Sequence, residues 1–405
     1  MEKRYYSFVG IYIFTYSGLG MLLPLLGQYL DGIGFNGVQI GIITATATAI
    51  GICASPFWGY RSHHSTDSSR VLIFLCIITT LIIVGMIFVK QYVIFLIAYA
   101  IFSFFQTPIM PLTDAMTLES RIPFGAIRKW GAIGFAVGVF LAGQLADATG
   151  LIVIFPICAL GYTIAWIIMV RLRRSKKELG FLTSIESEAA GDITETPGYM
   201  KETHEGAESD HSKRKKHGSY RVLFANKKLM ALLFAAFFIC GTNVANNTYF
   251  GFLYKDVGGS IAGIGLAFLL MCGGEAPFMA WTGWLERKLT MEKMILISMI
   301  ISALRYLWYS TGPAPALLIG TFFIQGMVNG IVLVEFVRYI SKLVDPAMIG
   351  MAMTLYQAVS SNCSSILCQL IGGTILEYYG GVQVYLFFSI YNMIGIVLYF
   401  GFGLH

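Results

Sequence analysis

About twelve apolar stretches, each close to the roughly 20 residues that a helix needs to cross a bilayer, dominate this 405-residue sequence. Together with their short connections they use nearly the whole chain. Hydrophobic residues make up 56% of it and charged residues 12%, whereas soluble proteins carry about 25% charged residues. At this composition, a soluble fold of the same length would have too little polar surface. The sequence therefore predicts an all-α polytopic membrane protein.

The predicted spans form two sets of six. They lie near residues 7–29, 37–59, 71–89, 93–117, 126–147 and 151–171, and then near 228–254, 261–284, 292–311, 314–341, 347–376 and 380–402. This pattern predicts two six-helix bundles, at 1–172 and 227–405, as in transporters built from fused halves. The hydrophilic residues 173–226 cannot bury enough apolar surface to fold alone, so we expect a mobile linker there.

The positive charges predict the orientation. Of the 28 lysines and arginines, only Lys90 and Lys255 fall on the side opposite the linker, and Arg305 lies within a span. Because cytoplasmic loops collect Lys and Arg, both termini and the linker are predicted to be cytoplasmic, in a cell inner or plasma membrane. Contact with anionic lipid explains the net charge of +6, which gives no reason to invoke nucleic acid.

Ionisable side chains within the spans are few. Each costs about 2.5–3.5 kcal/mol at a helix centre, and such residues normally face a protein interior or a wet cavity. The candidates are Asp114, Glu275, Arg305 and Glu335, with Arg128 at the start of span five.

Asp114 and Arg128 lie in consecutive spans joined by a short turn. Antiparallel neighbours of this kind bring a carboxylate and a guanidinium together, either on each other or around a polar substrate. We interpret them as a substrate-binding pair, with a structural ion pair as the alternative.

Glu275 follows two glycines and precedes Pro277 by two residues, so the helix there is loosened and open to water or backbone groups. A carboxyl at this depth suits reversible protonation, and Arg305 in the next span is predicted to lie at a comparable depth and to influence it. The alternative is that Glu275 and Arg305 form an interior pair that only fixes the packing of the helices. Glu335 and Arg338 share a helical face, which predicts a local salt bridge, a gate contact or a proton-coupling role for Glu335.

Three other spans carry polar stripes. Span one has Tyr12 and Tyr16, span seven has Asn243 and Asn247, and span eleven has Gln357 with serines after it. Such stripes either bind a cargo or hold helices together. Because three spans carry one, we predict a polar-lined cavity to which these residues contribute.

Span five also carries a series of glycines. They show no phosphate-loop context and predict close packing against a neighbouring helix. The residues are Gly131, Gly134, Gly138 and Gly143.

At these residues the chain resembles the major facilitator superfamily, in the branch of lactose, nucleoside and phenylpropionate:proton symporters. The matching segments are 20–26 in span one, Pro-Phe-Trp-Gly at 56–59, Pro-Leu-Thr-Asp-Ala at 111–115, and 124–135 leading into span five. The resemblance implies two bundles of six helices. It also implies that Asp114 and Arg128 bind cargo, and that Glu275 and Arg305 serve binding and proton coupling.

The chain departs from that branch in span ten. Gln325 stands where a histidine is usual, Val328 stands where a proton-carrying acid occurs, and His63 takes the place of the usual aspartate after span two. No histidine lies in a predicted span, which excludes a histidine relay. Gln325 stays a candidate by position, and the proton would be carried by a membrane carboxyl: Glu275, Asp114 or Glu335.

We therefore expect a monomeric, non-enzymatic secondary transporter of a small polar or aromatic organic solute, coupled to protons, without cofactor or metal. An exporter or uniporter of the same fold is one alternative. A receptor or scaffold that has lost transport is another, since fold does not fix function. A membrane enzyme is disfavoured because no span carries a metal cluster, a Ser–His pair or a phosphate loop.

Overall fold

The structure is a computed structural model that describes residues 2–65, 67–120, 124–191 and 220–403, and helices are the only regular secondary structure in these ranges. The first half contains α1 (Glu2–Gly32), α2 (Gly37–His63), α3 (Ser68–Met86), α4 (Tyr92–Gln106), α5 (Ile109–Glu119), α6 (Phe124–Thr149) and α7 (Ile154–Gly191). The second contains α8 (Tyr220–Ala225), α9 (Lys227–Asp256), α10 (Ile261–Leu285), α11 (Met291–Tyr309), α12 (Pro315–Leu343), α13 (Ile349–Leu355), α14 (Ser364–Tyr379) and α15 (Gly381–Gly401).

The described helices confirm the prediction of about twelve spans. By length and composition, eleven stretches are able to cross a membrane, with α4 and α5 forming one of them and 349–379 another. The remaining candidate is α11, which has 19 residues but carries Glu292, Lys293 and Arg305. Its charges, rather than its length, separate it from the others.

Proline and side-chain caps set several helix boundaries. Asn36 accepts a hydrogen bond from the Gln39 amide in a capping box that starts α2. Span four, predicted as one helix, is divided at Thr107 and Pro108 between α4 and α5. Proline lacks the amide hydrogen that would continue the ladder, so Asp114 lies on a separate short helix.

The glycines of α6 allow α1 to pack closely, as predicted. A Cβ atom on Gly138 would lie 2.6 Å from the Ser17 carbonyl oxygen, and Gly134 is similarly close to the backbone of Ile13. Gly143 instead faces the second half, where a Cβ atom on it would lie 3.0 Å from the Cα atom of Gly265. One face of α6 therefore holds its own half together, and its far end meets the other half.

The two halves meet at the membrane side away from the linker, which we call the distal side. Three helix pairs make most of this contact: α2 with α14, α6 with α10, and α1 with α9. Glycines bring the backbones together, since a Cβ on Gly37 would lie 2.6 Å from the Gly373 carbonyl oxygen. We call this contact the distal seam, and its glycines are Gly37, Gly41, Gly143, Gly265 and Gly373.

Polar contacts reinforce the distal seam. Lys255 Nζ lies 2.7 Å from Asp31 Oδ2, and the Gly37 amide at the start of α2 donates to Glu377 Oε2 at 2.7 Å. Deeper in the seam, Thr44 donates to Gln369 Oε1 at 2.7 Å. The halves are thus closed against each other at the distal side.

The linker departs from the prediction at both ends. Helix α7 continues to Gly191, well beyond the predicted end at 171, and α8 precedes span seven. Residues such as Lys and Glu favour helix without a buried face, which explains how a hydrophilic segment extends the span. Residues 192–219, most of the predicted mobile linker, lie outside the described residues.

Span eleven contains a π-helical segment, Tyr356–Cys363, between α13 and α14. Two serines tie this region to α9: Ser360 donates to the Leu233 carbonyl at 2.8 Å, and Ser364 donates to that of Phe237. Because π-helical turns are wider than α-helical ones, Gln357 and the serines that follow it do not repeat here with the period of an α-helix.

Candidate functional site

A cluster of one acid, one base and two tyrosines lies in the first half. Tyr12 donates to Asp114 Oδ1 at 2.6 Å, and Arg128 Nε lies 3.8 Å from Asp114 Oδ2. The Arg128 guanidinium lies 4.6 Å from the centre of the Tyr16 ring, which stacks on the Tyr12 ring at 5.8 Å. We call these four residues the N-half cluster.

The local fold explains how the N-half cluster assembles. Asp114 reaches α1 from the short helix that follows the proline break, and Arg128 lies in the first turns of α6. Gly131 lets α6 approach the two tyrosine rings, since a Cβ there would lie 3.0 Å from Tyr16. The short connection between spans four and five thus brings Asp114 and Arg128 together, as the sequence predicts.

The N-half cluster keeps hydrogen-bonding capacity. The Arg128 side chain is 42% exposed and that of Asp114 is 26% exposed. A guanidinium has five N–H donors and a carboxylate accepts at several positions, and the contacts just described use only part of this. The cluster can therefore both donate to and accept from a polar molecule.

Glu275 lies in the other half, on α10, the helix that packs against α6. Its carboxylate is within electrostatic range of Arg128, and among the described residues neither a hydrogen bond nor an ion pair engages it. Its backbone is fixed by α12, because Gly326 and Gly330 pack against the Glu275 amide and carbonyl. In the described part of the chain, the space between the halves thus has an ion pair on one side and, on the other, a carboxyl without an ion pair.

The predicted proximity of Glu275 and Arg305 is wrong. Helix α12 lies between α10 and α11, which both pack against it, so consecutive spans in sequence are not neighbours in space. Arg305 donates instead to Gln325 Oε1 and, at 3.3 Å, to the Tyr309 hydroxyl. Its guanidinium also lies 4.5 Å from the centre of the Tyr306 ring.

Arg305 is the start of a polar network inside the second half. It is 5% exposed and Gln325 is fully buried. Gln325 Nε2 donates to Asn243 Oδ1 at 3.3 Å and to Asn329 Oδ1 at 2.9 Å. Tyr306 also donates to Asn243 Oδ1 at 3.3 Å. We call these five residues the C-half network.

Glu335 lies apart from both groups, towards the linker side. It is fully buried, and Arg338 donates to its Oε1 at 3.2 Å and to Glu286 Oε2 at 3.2 Å. The shared helical face therefore forms a local salt bridge, one of the alternatives that the sequence leaves open. Val328, at the position of the missing proton-carrying acid, is buried in an apolar cluster.

Two predicted binding residues remain outside these groups. Asn247 is half-buried on α9, and Gln357 is exposed on the π-helical segment. Among the described residues, neither hydrogen-bonds to the N-half cluster or the C-half network. Their participation in binding stays a prediction.

Sequence reasoning missed several polar residues that the fold brings together. Asn329 and Tyr309 were not singled out because amide and tyrosine side chains are frequent in membrane helices. An i, i+4 spacing of Gln325 and Asn329, and of Arg305 and Tyr309, is the signal that would have found them. In the described part of the chain, no group of three His, Cys, Asp or Glu residues is arranged to hold a metal ion.

Comparison with known proteins identifies the family. The profile of the MFS_1 like family matches residues 5–387, nearly the whole chain. The chain belongs to the MFS_1 like family. This MFS_1 like protein is therefore a transporter of the major facilitator superfamily, as the resemblance implied.

Relatives of the MFS_1 like protein include transporters of different solutes. It is 30% identical to the maltose permease of Geobacillus stearothermophilus over 96% of this chain and 91% of the relative. It is 24% identical to a probable 3-phenylpropionic acid transporter of Escherichia coli (strain K12), over 91% and 89%. A crystal structure of a mutant of the nucleoside transporter NupG has the same fold, with a TM-score of 0.78, 15% identity and coverage of 98% and 99%.

Proposed function

We propose that this protein is a proton-coupled symporter of a small polyhydroxylated solute, a sugar, which it moves by alternating access. The observation that carries the proposal is the placement of charged groups on both halves: the ion pair of the N-half cluster on one, and on the other Glu275, which has no ion pair among the described residues and lies on α10, the helix that packs against α6. Charges are costly in a membrane interior and are retained where they line a wet path. A non-transporting receptor or scaffold has no need of them on two opposed surfaces.

The chemistry of the N-half cluster supports a sugar as the cargo. Asp114 accepts hydrogen bonds from hydroxyls and Arg128 donates to them, while the buried rings of Tyr12 and Tyr16 hold these two groups in place. Together these groups match a molecule with several hydroxyl groups. The relation to a maltose permease at 30% identity supports the same class.

Glu275 is the group that we assign to proton exchange. Because its carboxylate has no ion pair among the described residues, it can bind a proton without breaking one. Its attraction to Arg128 depends on how the halves are placed, so a change in their spacing changes the cost of its charge. Protonation and the movement of the halves are thereby linked.

The distal seam supports alternating access. It closes the space between the halves at one membrane side through helix pairs that all join one half to the other. Transporters with two repeated halves rock about a central site. Opening the distal seam and closing the linker side would carry the bound solute across.

Uptake into proteoliposomes tests the cargo and the coupling together. We expect the purified protein to accumulate radiolabelled maltose when the lumen is alkaline, and to accumulate much less 3-phenylpropionate or uridine. Uphill uptake of 3-phenylpropionate but not of maltose would replace the sugar proposal with an aromatic acid. If maltose only equilibrates across the membrane, to the same extent with and without the pH gradient, the protein is a uniporter.

Glu275→Gln separates coupling from binding. The rate of uphill uptake by the variant is expected to fall at least tenfold. Counterflow is expected to remain, because the exchange of loaded carriers needs no proton release. Glu292→Gln at the start of α11 makes the same chemical change away from the space between the halves, and is expected to behave like the wild type. Unchanged uphill uptake by Glu275→Gln would remove Glu275 from the coupling mechanism.

A further inference from the structure

Arg305 fixes the direction of every hydrogen bond in the C-half network. A guanidinium only donates, so Gln325 must present its carbonyl oxygen to Arg305. The opposite amide orientation would place two donors against each other. The NH₂ group of Gln325 is therefore directed away from Arg305, towards α9 and the next turn of α12.

The asparagines at the end of this chain of bonds are oriented in turn. Asn329 accepts from Gln325 through Oδ1 at 2.9 Å, and Asn243 accepts through Oδ1 from both Gln325 and Tyr306. Their carbonyl oxygens are thus occupied within the network. What remains for other partners is the NH₂ group of each asparagine.

Within the described part of the chain, the Asn329 donor has only a weak partner. Its Nδ2 lies 3.8 Å from the sulfur of Met271, and a thioether is a poor acceptor. Asn329 and Asn243 are half-buried, whereas Gln325 behind them is fully buried. Among the described residues, the NH₂ groups of these two outer members of the network have no partner stronger than the thioether, and both side chains are partly accessible.

Asn329 lies beside the residue that is within electrostatic range of Arg128. Its neighbour Gly330 packs against Glu275, since a Cβ on Gly330 would lie 2.7 Å from the Glu275 carbonyl oxygen. Met271, the weak partner of Asn329, is four residues before Glu275 on α10. Asn329 is thus held where α12 and α10 meet, next to the space between the halves.

We propose that Asn329, with Asn243, forms a donor-only subsite for an acceptor oxygen of the cargo, and that Arg305 is a positioning residue that orients this subsite through Gln325. The proposal rests on the proposed sugar transport. Ring and glycosidic oxygens of a sugar only accept hydrogen bonds, whereas its hydroxyls both donate and accept. The C-half network thus recognises the oxygens that the Asp114 carboxylate of the other half cannot bind.

Asn329→Asp reverses the hydrogen-bonding role at constant shape. An ionised carboxylate only accepts, so maltose affinity at pH 8 is expected to fall at least tenfold, measured by equilibrium binding to protein in nanodiscs. A protonated carboxyl donates, so affinity is expected to recover severalfold between pH 8 and pH 5. Asn329→Ala lacks a donor at any pH, and its maltose affinity is expected to stay weak throughout. If the side chain at position 329 had only a structural role, the affinity of Asn329→Asp would not recover at low pH.

A matched control uses the same chemical change elsewhere. Asn226→Asp at the start of α9 keeps an acceptor for the Leu229 amide but loses the donor to the Leu343 carbonyl, so its Tm is measured alongside its affinity. Because it lies away from both polar groups, it is expected to bind maltose within twofold of the wild type. Should Asn329→Asp fail to fold, Asn243→Asp asks the same question.

The outcomes distinguish the two proposals. Wild-type affinity of Asn329→Asp at pH 8, or equal losses in Asn329→Asp and Asn329→Ala at both pH values, overturns the donor subsite and leaves sugar transport standing. A wild-type protein that neither binds nor moves maltose overturns the proposed function, and the subsite for a sugar oxygen is rejected with it.

Discussion

Asp67 shows how a single carboxylate links two helices at the linker side. It begins α3 by accepting from the Ser69 amide at 3.1 Å, and it accepts from Arg173 Nε of α7 at 2.7 Å. Burial raises the pKa of this carboxyl, but the hydrogen bonds from Ser69 and the Arg173 charge outweigh it and lower the pKa below its usual value. The sequence did not single out this aspartate, because its partner lies more than 100 residues away.

The lowered pKa of Asp67 predicts a dependence of stability on pH. The ionised form is favoured in the folded state, so its contribution is complete above the unfolded pKa of about 3.9 and is lost as pH falls through the lower folded pKa. Asp67→Asn keeps the cap but removes the charge. We expect a loss of about 0.2–1 kcal/mol at pH 7, since both side chains are partly exposed.

Thermal unfolding in detergent from pH 7 to pH 3 measures this effect. The difference in Tm between wild type and Asp67→Asn is expected to shrink towards acid pH. Arg70→Gln removes the more exposed partner, whose Nε is 3.8 Å from Asp67 Oδ2, and should change Tm little. A difference that grows on acidification would contradict the assigned direction.

At the same scale, sequence reasoning succeeded for one charged pair and failed for another. Asp114 and Arg128 are joined by a short turn, so chain connectivity alone brings them together. Glu275 and Arg305 are also in consecutive spans, but α12 from farther along the chain packs between them. Which helices neighbour each other depends on the packing of the whole bundle, and apolar periodicity does not encode it.

The length of each apolar stretch predicts that a helix is present, but it does not predict where that helix is broken, widened or extended. The predicted spans agree with the helices because each must satisfy its backbone hydrogen bonds internally within lipid. The division at Pro108 and the π-helical segment in span eleven depend on local contacts, such as that of Ser360 with the Leu233 carbonyl. The extension of α7 continues into a hydrophilic sequence that contains residues of high helix propensity, such as Lys and Glu.

The packing of α1 on α6 makes a prediction about Gly138. A Cβ there would lie 2.6 Å from the Ser17 carbonyl oxygen, and backbone cannot move aside as a flexible side chain does. Gly138→Ala is therefore expected to destabilise the protein by about 1–3 kcal/mol, seen as a lower Tm. Gly320→Ala on α12, where nothing lies within 4 Å of the new atom, is the matched control and should be neutral. Equal Tm values for both variants would show that α1 and α6 separate at little cost.

On the scale of the whole molecule, the closed distal side depends on contacts between halves. Asp31 pairs with Lys255, and Glu377 accepts from the Gly37 amide. The double variant Asp31→Asn and Glu377→Gln weakens both contacts without altering the glycines of the distal seam. We expect it to populate the state in which the distal side is open.

Spin labels report this change as a distance. With the accessible cysteines replaced, spin labels at Lys90 and Thr311 mark the distal ends of the two halves. Double electron–electron resonance is expected to show a population with a longer label-to-label distance in the double variant. Asp147→Asn removes an exposed carboxylate on α6 without affecting the contact of Asp31 or Glu377, and should leave the distances unchanged. Identical distributions in all three proteins would show that the glycine contacts and the Thr44–Gln369 hydrogen bond hold the distal side closed without the contacts of Asp31 and Glu377.

Arg305 constrains the electrical work that the membrane voltage does on this protein. A guanidinium keeps its proton throughout the physiological range, and the bonds to Gln325 and Tyr309 anchor it inside one half. Its positive charge therefore returns to its starting place after each turnover and contributes no net current. Moving one elementary charge through 100 mV is worth about 2.3 kcal/mol. Under the proposed proton symport, the voltage therefore acts over a complete cycle through the protons carried on carboxyls and through any charge on the solute, and not through Arg305.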